Sequence, residues 1–289
     1  MFRYYSLSTA LILSVLSSYC GFSLAKDISV PMDISRWEYK GDQFSCLLNQ
    51  KIKNFGDVAF IAEPNHILQF QLSSFRFPQP VDHARVYFLP SPYLDSQKKE
   101  LVTQQAVIKN QKVIFTHSVA GLVSAVSRGA WIQVTTDASG ESFSVRLPAV
   151  NINEPMARFN QCRAALPDMS FKQARDTELH YQLGQRTVNP EQKHILSQLA
   201  HYVRLDKKVT HVLIDGHTDN VGSAIGNRQI SRVRADDVAS ILEAEGVRSA
   251  LIEVRAHGAR YPVASNETEQ GQARNRRVTI RVIRSEGKG

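Results

Sequence analysis

Apolar residues in the first half of the chain come in short runs with a period near two. Ile67, Leu68, Phe70 and Leu72 make one run, and Val86, Phe88 and Leu89 another. Similar runs cover 112–116, 130–135 and 142–147. A strand with one buried face needs this spacing, because successive side chains point to opposite faces. Turn-forming residues separate the runs: Pro78-Gln79-Pro80, Pro90-Ser91-Pro92, Lys109-Asn110-Gln111 and Asp137-Ala138-Ser139-Gly140. Many short strands with regular punctuation predict a small barrel or a sandwich between Lys26 and Leu147.

The second half changes period. Ile195, Leu196, Leu199, Tyr202 and Val203 lie at helical spacing behind Asn189 and Pro190, an N-cap followed by a proline at the first helical position. Strands are expected near 178–183, 209–215 and 252–256. A polar loop follows the third. A last strand spans 278–283, where Val278, Ile280 and Val282 alternate with Thr279 and Arg281. Between the second and third strands a helix should start at Ser223, an N-cap, and stop at Gly246, a left-handed residue. Strands alternating with helices predict an α/β layer. The length of 289 residues accommodates two domains. The expected fold class is therefore α+β in two domains. A β-rich barrel or sandwich covers 26–160, a junction 161–176, and an α/β sandwich 177–289. Breaks are expected at Asn153-Glu154-Pro155 and Leu166-Pro167-Asp168.

The helix after Ser223 carries an anomaly. On a wheel of about 100° per residue, Ile230, Val238, Ile241 and Leu242 form the apolar stripe, yet Asn227, Ser231 and Arg234 fall inside it. An arginine facing a core must be paired, or its burial is costly. The partner is expected at the end of the preceding strand, where Gly216 and Gly222 bracket a tight loop that presents Asp219. An acid on the loop, a base on the helix and the helix N-terminus between them suit a zwitterion. A carboxylate would take the Arg234 fork and an ammonium would take Asp219. A ligand-free buried ion pair between Asp219 and Arg234 is the competing reading.

Gly216-His217-Thr218-Asp219, then Asn227, Ile230-Ser231 and Arg234-Ala235, with Asn275-Arg276-Arg277-Val278 downstream, resembles the OmpA-like peptidoglycan-binding domain. The resemblance runs from about Thr177 to Ile283 and implies that Asp219 and Arg234 grip the free ammonium and carboxylate of diaminopimelate in the wall's stem peptide. Thr218, Asn227 and Ile230 are the other matched binding positions. Arg277 and Asn275 are implied to support the binding loops. His217 reads as structural. The segment Trp37…Phe44-Ser45-Cys46, followed by Phe55-Gly56-Asp57 and Phe60, resembles the amino-terminal domain of the MotY family. That resemblance implies a periplasmic ring component of a sodium-driven flagellar motor that supports stator assembly, with a MotX-like ring partner and a PomB-like stator subunit nearby. An unrelated β domain joined to a common wall-binding module is the alternative, a general envelope anchor.

Charge changes the picture little. Residues 26–165 hold 15 basic and 12 acidic groups, and 166–289 hold 19 and 15. An excess spread so evenly argues against a nucleic-acid partner, which would call for a basic stripe with stacking aromatics. Residues 1–25 read as a secretory signal: Arg3, an apolar core around Leu7–Leu16, and Ser23-Leu24-Ala25 before Lys26. A retained anchor is the competing reading, and bulky Tyr19 before Cys20 argues against lipidation. Cleavage would leave no membrane span, and it would leave Cys46 and Cys162. In an oxidising compartment these are expected to pair, against the alternative of two buried thiols.

No metal site or cofactor is expected, since the nine histidines make no His-x-x-x-His pair and no Cys-x-x-Cys occurs. Catalysis is not expected either. Gly-x-Ser-x-Gly and His-Glu-x-x-His are absent, and the Ser-x-x-Lys strings at 96–99 and 285–288 lack companion motifs. A MotB-type stator would need an acidic residue in an amino-terminal span, and residues 1–25 contain none.

Overall fold

The computed structural model describes residues 26–76, 81–91, 98–138 and 141–285. The proposed signal segment and Pro78-Gln79-Pro80 lie outside the described residues, as do parts of both Ser-x-x-Lys strings. Three sheets and six α-helices make up the described chain, and none of the sheets closes into a barrel.

Two sheets build the first half. One has the order β1 (Lys26–Ser29), β11 (Glu141–Leu147), β10 (Trp131–Ala138), β6 (Val81–Leu89), β7 (Glu100–Thr103). The other runs β2 (Trp37–Gly41), β3 (Cys46–Ile52), β4 (Gly56–Glu63), β5 (Ile67–Ser74), β9 (Lys112–Phe115), β8 (Ala106–Lys109). Their alternating inward residues share one core: Val86, Val134 and Val145 from the first sheet, and Leu48, Phe60, Phe70 and Phe115 from the second. The arrangement is a sandwich with open edges, so the barrel alternative does not hold. Two helices interrupt the β pattern. Helix α1 (Val119–Ser127) buries Val119, Leu122, Val123 and Val126 at helical spacing. Helix α2 (Asn153–Ala164) buries Met156 and Phe159. The expected break at Asn153-Glu154-Pro155 is thus a helix start; proline is tolerated there because the first helical N–H groups have no internal partner.

Cys46 on β3 and Cys162 on α2 form a disulfide, with Cα atoms 6.0 Å apart at a sequence separation of 116. Next to it, Phe44 leaves the first core and packs on Tyr202 at 5.3 Å between ring centroids, joining the edge of the second core.

The second half is a four-stranded sheet of order β12 (Asp176–His180), β15 (Arg277–Arg284), β13 (Val209–His217), β14 (Ile252–Gly258). Short helix α3 (Phe171–Arg175) precedes it. Helices α4 (Pro190–Leu205) and α5 (Ala224–Ala244) supply Leu196, Leu199, Val238 and Leu242 to a core with Val212, Ile214, Val278 and Ile280. Asn189 caps α4 with Pro190 at its start, and Ser223 caps α5 by accepting Gly226 N–H at 3.1 Å. Gly246 ends α5 at φ 90°. The expected polar loop before the last strand contains helix α6 (Glu269–Asn275). Gly216 is not a turn residue: it lies inside β13, and a Cβ there would sit 2.1 Å from Ser231 O, so its role is to let α5 approach the strand. Among the described residues no helix is long and apolar enough to cross a membrane.

Candidate functional site

The end of β13 and the first turns of α5 bring together a cluster of buried polar side chains. Thr218 N–H bonds Gly258 O at 3.0 Å, which holds the loop against β14. Gly222, at φ 95°, turns the chain back toward the helix. Asp219 is 5% exposed, and its Oδ1 accepts Val221 N–H at 3.2 Å. Asn227 donates to Asp219 O at 3.3 Å, so it braces the loop backbone from the first turn of α5. Ile230 is half-buried one turn on. Ser231 is fully buried and links α5 to β14 by accepting Gly258 N–H at 3.0 Å.

Arg234 is 3% exposed, as the wheel position requires, but its partner is not Asp219. Its Nε and Nη2 donate to Gln185 O at 2.9 and 2.8 Å, and its guanidinium lies 4.8 Å from the centre of the Tyr181 ring. Nη1 has no partner among the described residues. Burial pushes this guanidinium below its ordinary pKa, while Tyr181 and Asp219 oppose that shift. The Gln185 loop is held in turn: Val188 N–H bonds Asp237 at 2.8 Å, and Gln185 bonds Thr187 O and Gln192.

The partner of Asp219 is Arg276. Its Nη1 is 2.8 Å from Asp219 Oδ2, and its Nε donates to Tyr181 O at 3.2 Å. The competing reading of a direct Asp219–Arg234 ion pair therefore does not hold, and two adjacent units take its place, Arg276 with Asp219 and Arg234 with a neutral carbonyl. Tyr181, Gln185 and Arg276 were missed at these positions by reading the sequence. The signal available was the doubled Arg276-Arg277 where the last strand begins, since successive side chains there point opposite ways.

The supporting residues are well defined. Asn275, fully buried, accepts Val263 and Ala264 N–H at 2.8 and 3.1 Å and donates to Ala264 O and Asn266, both at 2.9 Å. Arg277 is 5% exposed; it reaches Tyr261 O at 3.2 Å and Glu178 at 3.4 Å. Together they shape the 261–266 loop. His217 is buried and stacks on His257, 4.9 Å between centroids. Burial, with Arg277 and His257 nearby, lowers its pKa to about 4, so it is neutral at pH 7. His257 bonds Asp215 at 2.6 Å, and Arg255 holds the same carboxylate with two bonds of 2.7 Å. Leu183, Val221, Ile225, Tyr261 and Val263 are exposed apolar residues on neighbouring loops and the start of α5.

Chemically, the cluster offers an unpaired buried guanidinium donor near a carboxylate that still has acceptor capacity.

Residues 29–167 match the MotY N-terminal domain, and residues 180–276 match the OmpA family. The sodium-type flagellar protein MotY of Vibrio parahaemolyticus is 24% identical over 287 residues, covering 97% of this chain and 98% of that protein. The outer-membrane lipoprotein YfiB of Pseudomonas aeruginosa is 39% identical over 93 residues, 32% of this chain and 55% of the lipoprotein. The peptidoglycan-binding protein ArfA of Mycobacterium tuberculosis is 41% identical over 93 residues, 32% of this chain and 28% of ArfA. The chain thus spans about half of the lipoprotein and less of ArfA.

Proposed function

Because the chain joins a MotY N-terminal domain to an OmpA domain, we propose that it is a non-catalytic periplasmic component of the flagellar basal body, exported by residues 1–25 and anchored to peptidoglycan by its second domain. The observation that carries the anchoring half is the unpartnered Nη1 of buried Arg234 beside Asp219. A buried guanidinium donor left without a partner is costly unless a ligand completes it. The free end of diaminopimelate supplies one carboxylate for Arg234 and one ammonium for the remaining acceptor sites of Asp219. Thr218, Asn227 and Ile230 line the approach, and Asn275 and Arg277 hold the loop beyond.

The first domain, 26–160 with the junction 161–176, makes the motor contact in this reading. It would sit in a ring that supports stator assembly, with a MotX-like partner beside it and a PomB-like stator subunit within reach. The match of residues 29–167 to the MotY N-terminal domain favours this over a general envelope anchor.

Two measurements test the proposal. Purified sacculi are pelleted with wild type and with Arg234→Gln, each first checked for fold by circular dichroism. Wild type should co-sediment and the variant should remain in solution; equal co-sedimentation across a concentration series overturns the site. Deletion of the coding sequence should abolish swimming; intact swimming overturns the motor assignment and leaves the anchor alternative.

A further inference from the structure

Arg276 is the side-chain cation that pairs with Asp219. The two side chains are 11% and 7% exposed and 2.8 Å apart, and Arg276 is fixed from behind through Tyr181 O. The backbone adds a second restraint, since Tyr181 N–H bonds Arg276 O at 2.8 Å. Asp219 is therefore already paired before any ligand arrives. Arg234 is in the opposite condition. Its two bonds go to one neutral carbonyl, and its third nitrogen is buried without a partner among the described residues. Arg276 also lies close enough to disfavour the charged form of Arg234, as one like charge does to another. Asp237, a helix turn away, is bonded to Val188 N–H within the loop that carries Gln185. Two guanidinium cations thus lie near one carboxylate. An arriving cation meets Arg276 already on Asp219, whereas an arriving anion meets an unsatisfied guanidinium donor.

We propose, resting on the wall-binding reading above, that the site recognises its ligand chiefly through a free carboxylate, and that Arg276 sets this preference by withholding Asp219 from the ligand's ammonium. The ligand class is a stem peptide whose diamino diacid end is not amidated. Arg276 is a specificity-determining residue: it need not touch the ligand to act. Amidation of the carboxylate removes the group Arg234 lacks. Blocking the amine removes only a contact that Arg276 has already weakened.

The test uses the exported chain, residues 26–289, titrated calorimetrically with three synthetic peptides. These are N-acetyl-L-alanyl-γ-D-glutamyl-meso-diaminopimelate, the same peptide amidated at the carboxylate of the diaminopimelate side-chain end, and the same peptide acetylated at the amine of that end. Amidation should weaken binding by about tenfold or more, and acetylation by less than about threefold. In Arg276→Gln, with its fold checked by circular dichroism, the acetylation penalty should rise to match the amidation penalty. Equal penalties in wild type overturn the proposal, as does a folded Arg276→Gln with an unchanged ratio. If that variant does not fold, the wild-type ratio decides alone. Failure of all three peptides to bind wild type overturns the wall-binding reading itself.

Discussion

The two halves of the molecule bury different things. Polar side chains buried in the first half are Ser35, Gln50, Ser74, Thr103, Gln133, Thr136 and Ser144, and among the described residues none is charged. The second half buries Asp206, Asp219, Arg234 and Arg277, together with the imidazole of His217. The first half is an apolar sandwich closed by a covalent bond. The second has no such bond and keeps ionic groups in its interior. Buried charge is a poor way to gain stability and a good way to hold a specific site ready. The contrast suits the proposed division, docking by one half and charged recognition by the other.

The contrast breaks most visibly at the disulfide. Closing a loop of 116 residues should contribute about 4–5 kcal/mol by restricting the unfolded chain. Cys162→Ser should therefore lower the urea midpoint of the first domain sharply while leaving sacculus binding by the folded protein almost unchanged. A binding loss as large as the stability loss would show that the halves are not separable.

Next in size is the polar cluster. Arg234→Gln removes the unpartnered donor and leaves a bound carboxylate poorly compensated, a loss of roughly 2–5 kcal/mol in binding. The thermal transition of the first domain should not move. Titration calorimetry and differential scanning calorimetry on one preparation check both statements.

His217 makes the second half sensitive to acid. Its pKa is about 4 when folded and near 6.5 when exposed, so the unfolded chain takes up the proton first. The folded state keeps its full advantage above pH 6.5 and loses it as pH falls toward 4, by about 3 kcal/mol in all. Unfolding free energies measured from pH 7.5 to pH 4 should slope more steeply in wild type than in His217→Gln. Identical slopes would mean that other groups carry the titration.

The smallest effect is expected at Asn227, whose one bond to Asp219 O braces a loop already held by Thr218 and Ser223. Asn227→Ala should weaken binding by about 1 kcal/mol, as for a neutral hydrogen bond. A loss matching that of Arg234→Gln would give Asn227 a direct part in recognition.

Much of this architecture was legible in the chain because it is local. Alternation marked the strands, and Asn189-Pro190, Ser223 and Gly246 marked helix ends, since caps are settled within a few residues. The wheel placed Ser231 and Arg234 on a buried face, and both are buried. Helix α1 was not expected, although Val119, Leu122, Val123 and Val126 hold a helical period, because the surrounding β pattern masks it. Gly216 was misread because a glycine's reason can lie across the fold, here in Ser231 O.

By itself the sequence determined the two-part organisation of periodicities, the cysteines that pair, and an arginine that had to be buried on α5. Only the tertiary structure decided what that arginine meets. The antiparallel register of β12 with β15 sets His180 opposite Arg277, which carries Tyr181 to the Arg276 backbone across 95 positions of sequence. The same folding brings Arg276 to Asp219 across 57 positions and Gln185 to Arg234 across 49. A charged side chain states that it needs a partner. Which of several it obtains depends on strand register and helix approach, and these are set by how the whole core packs.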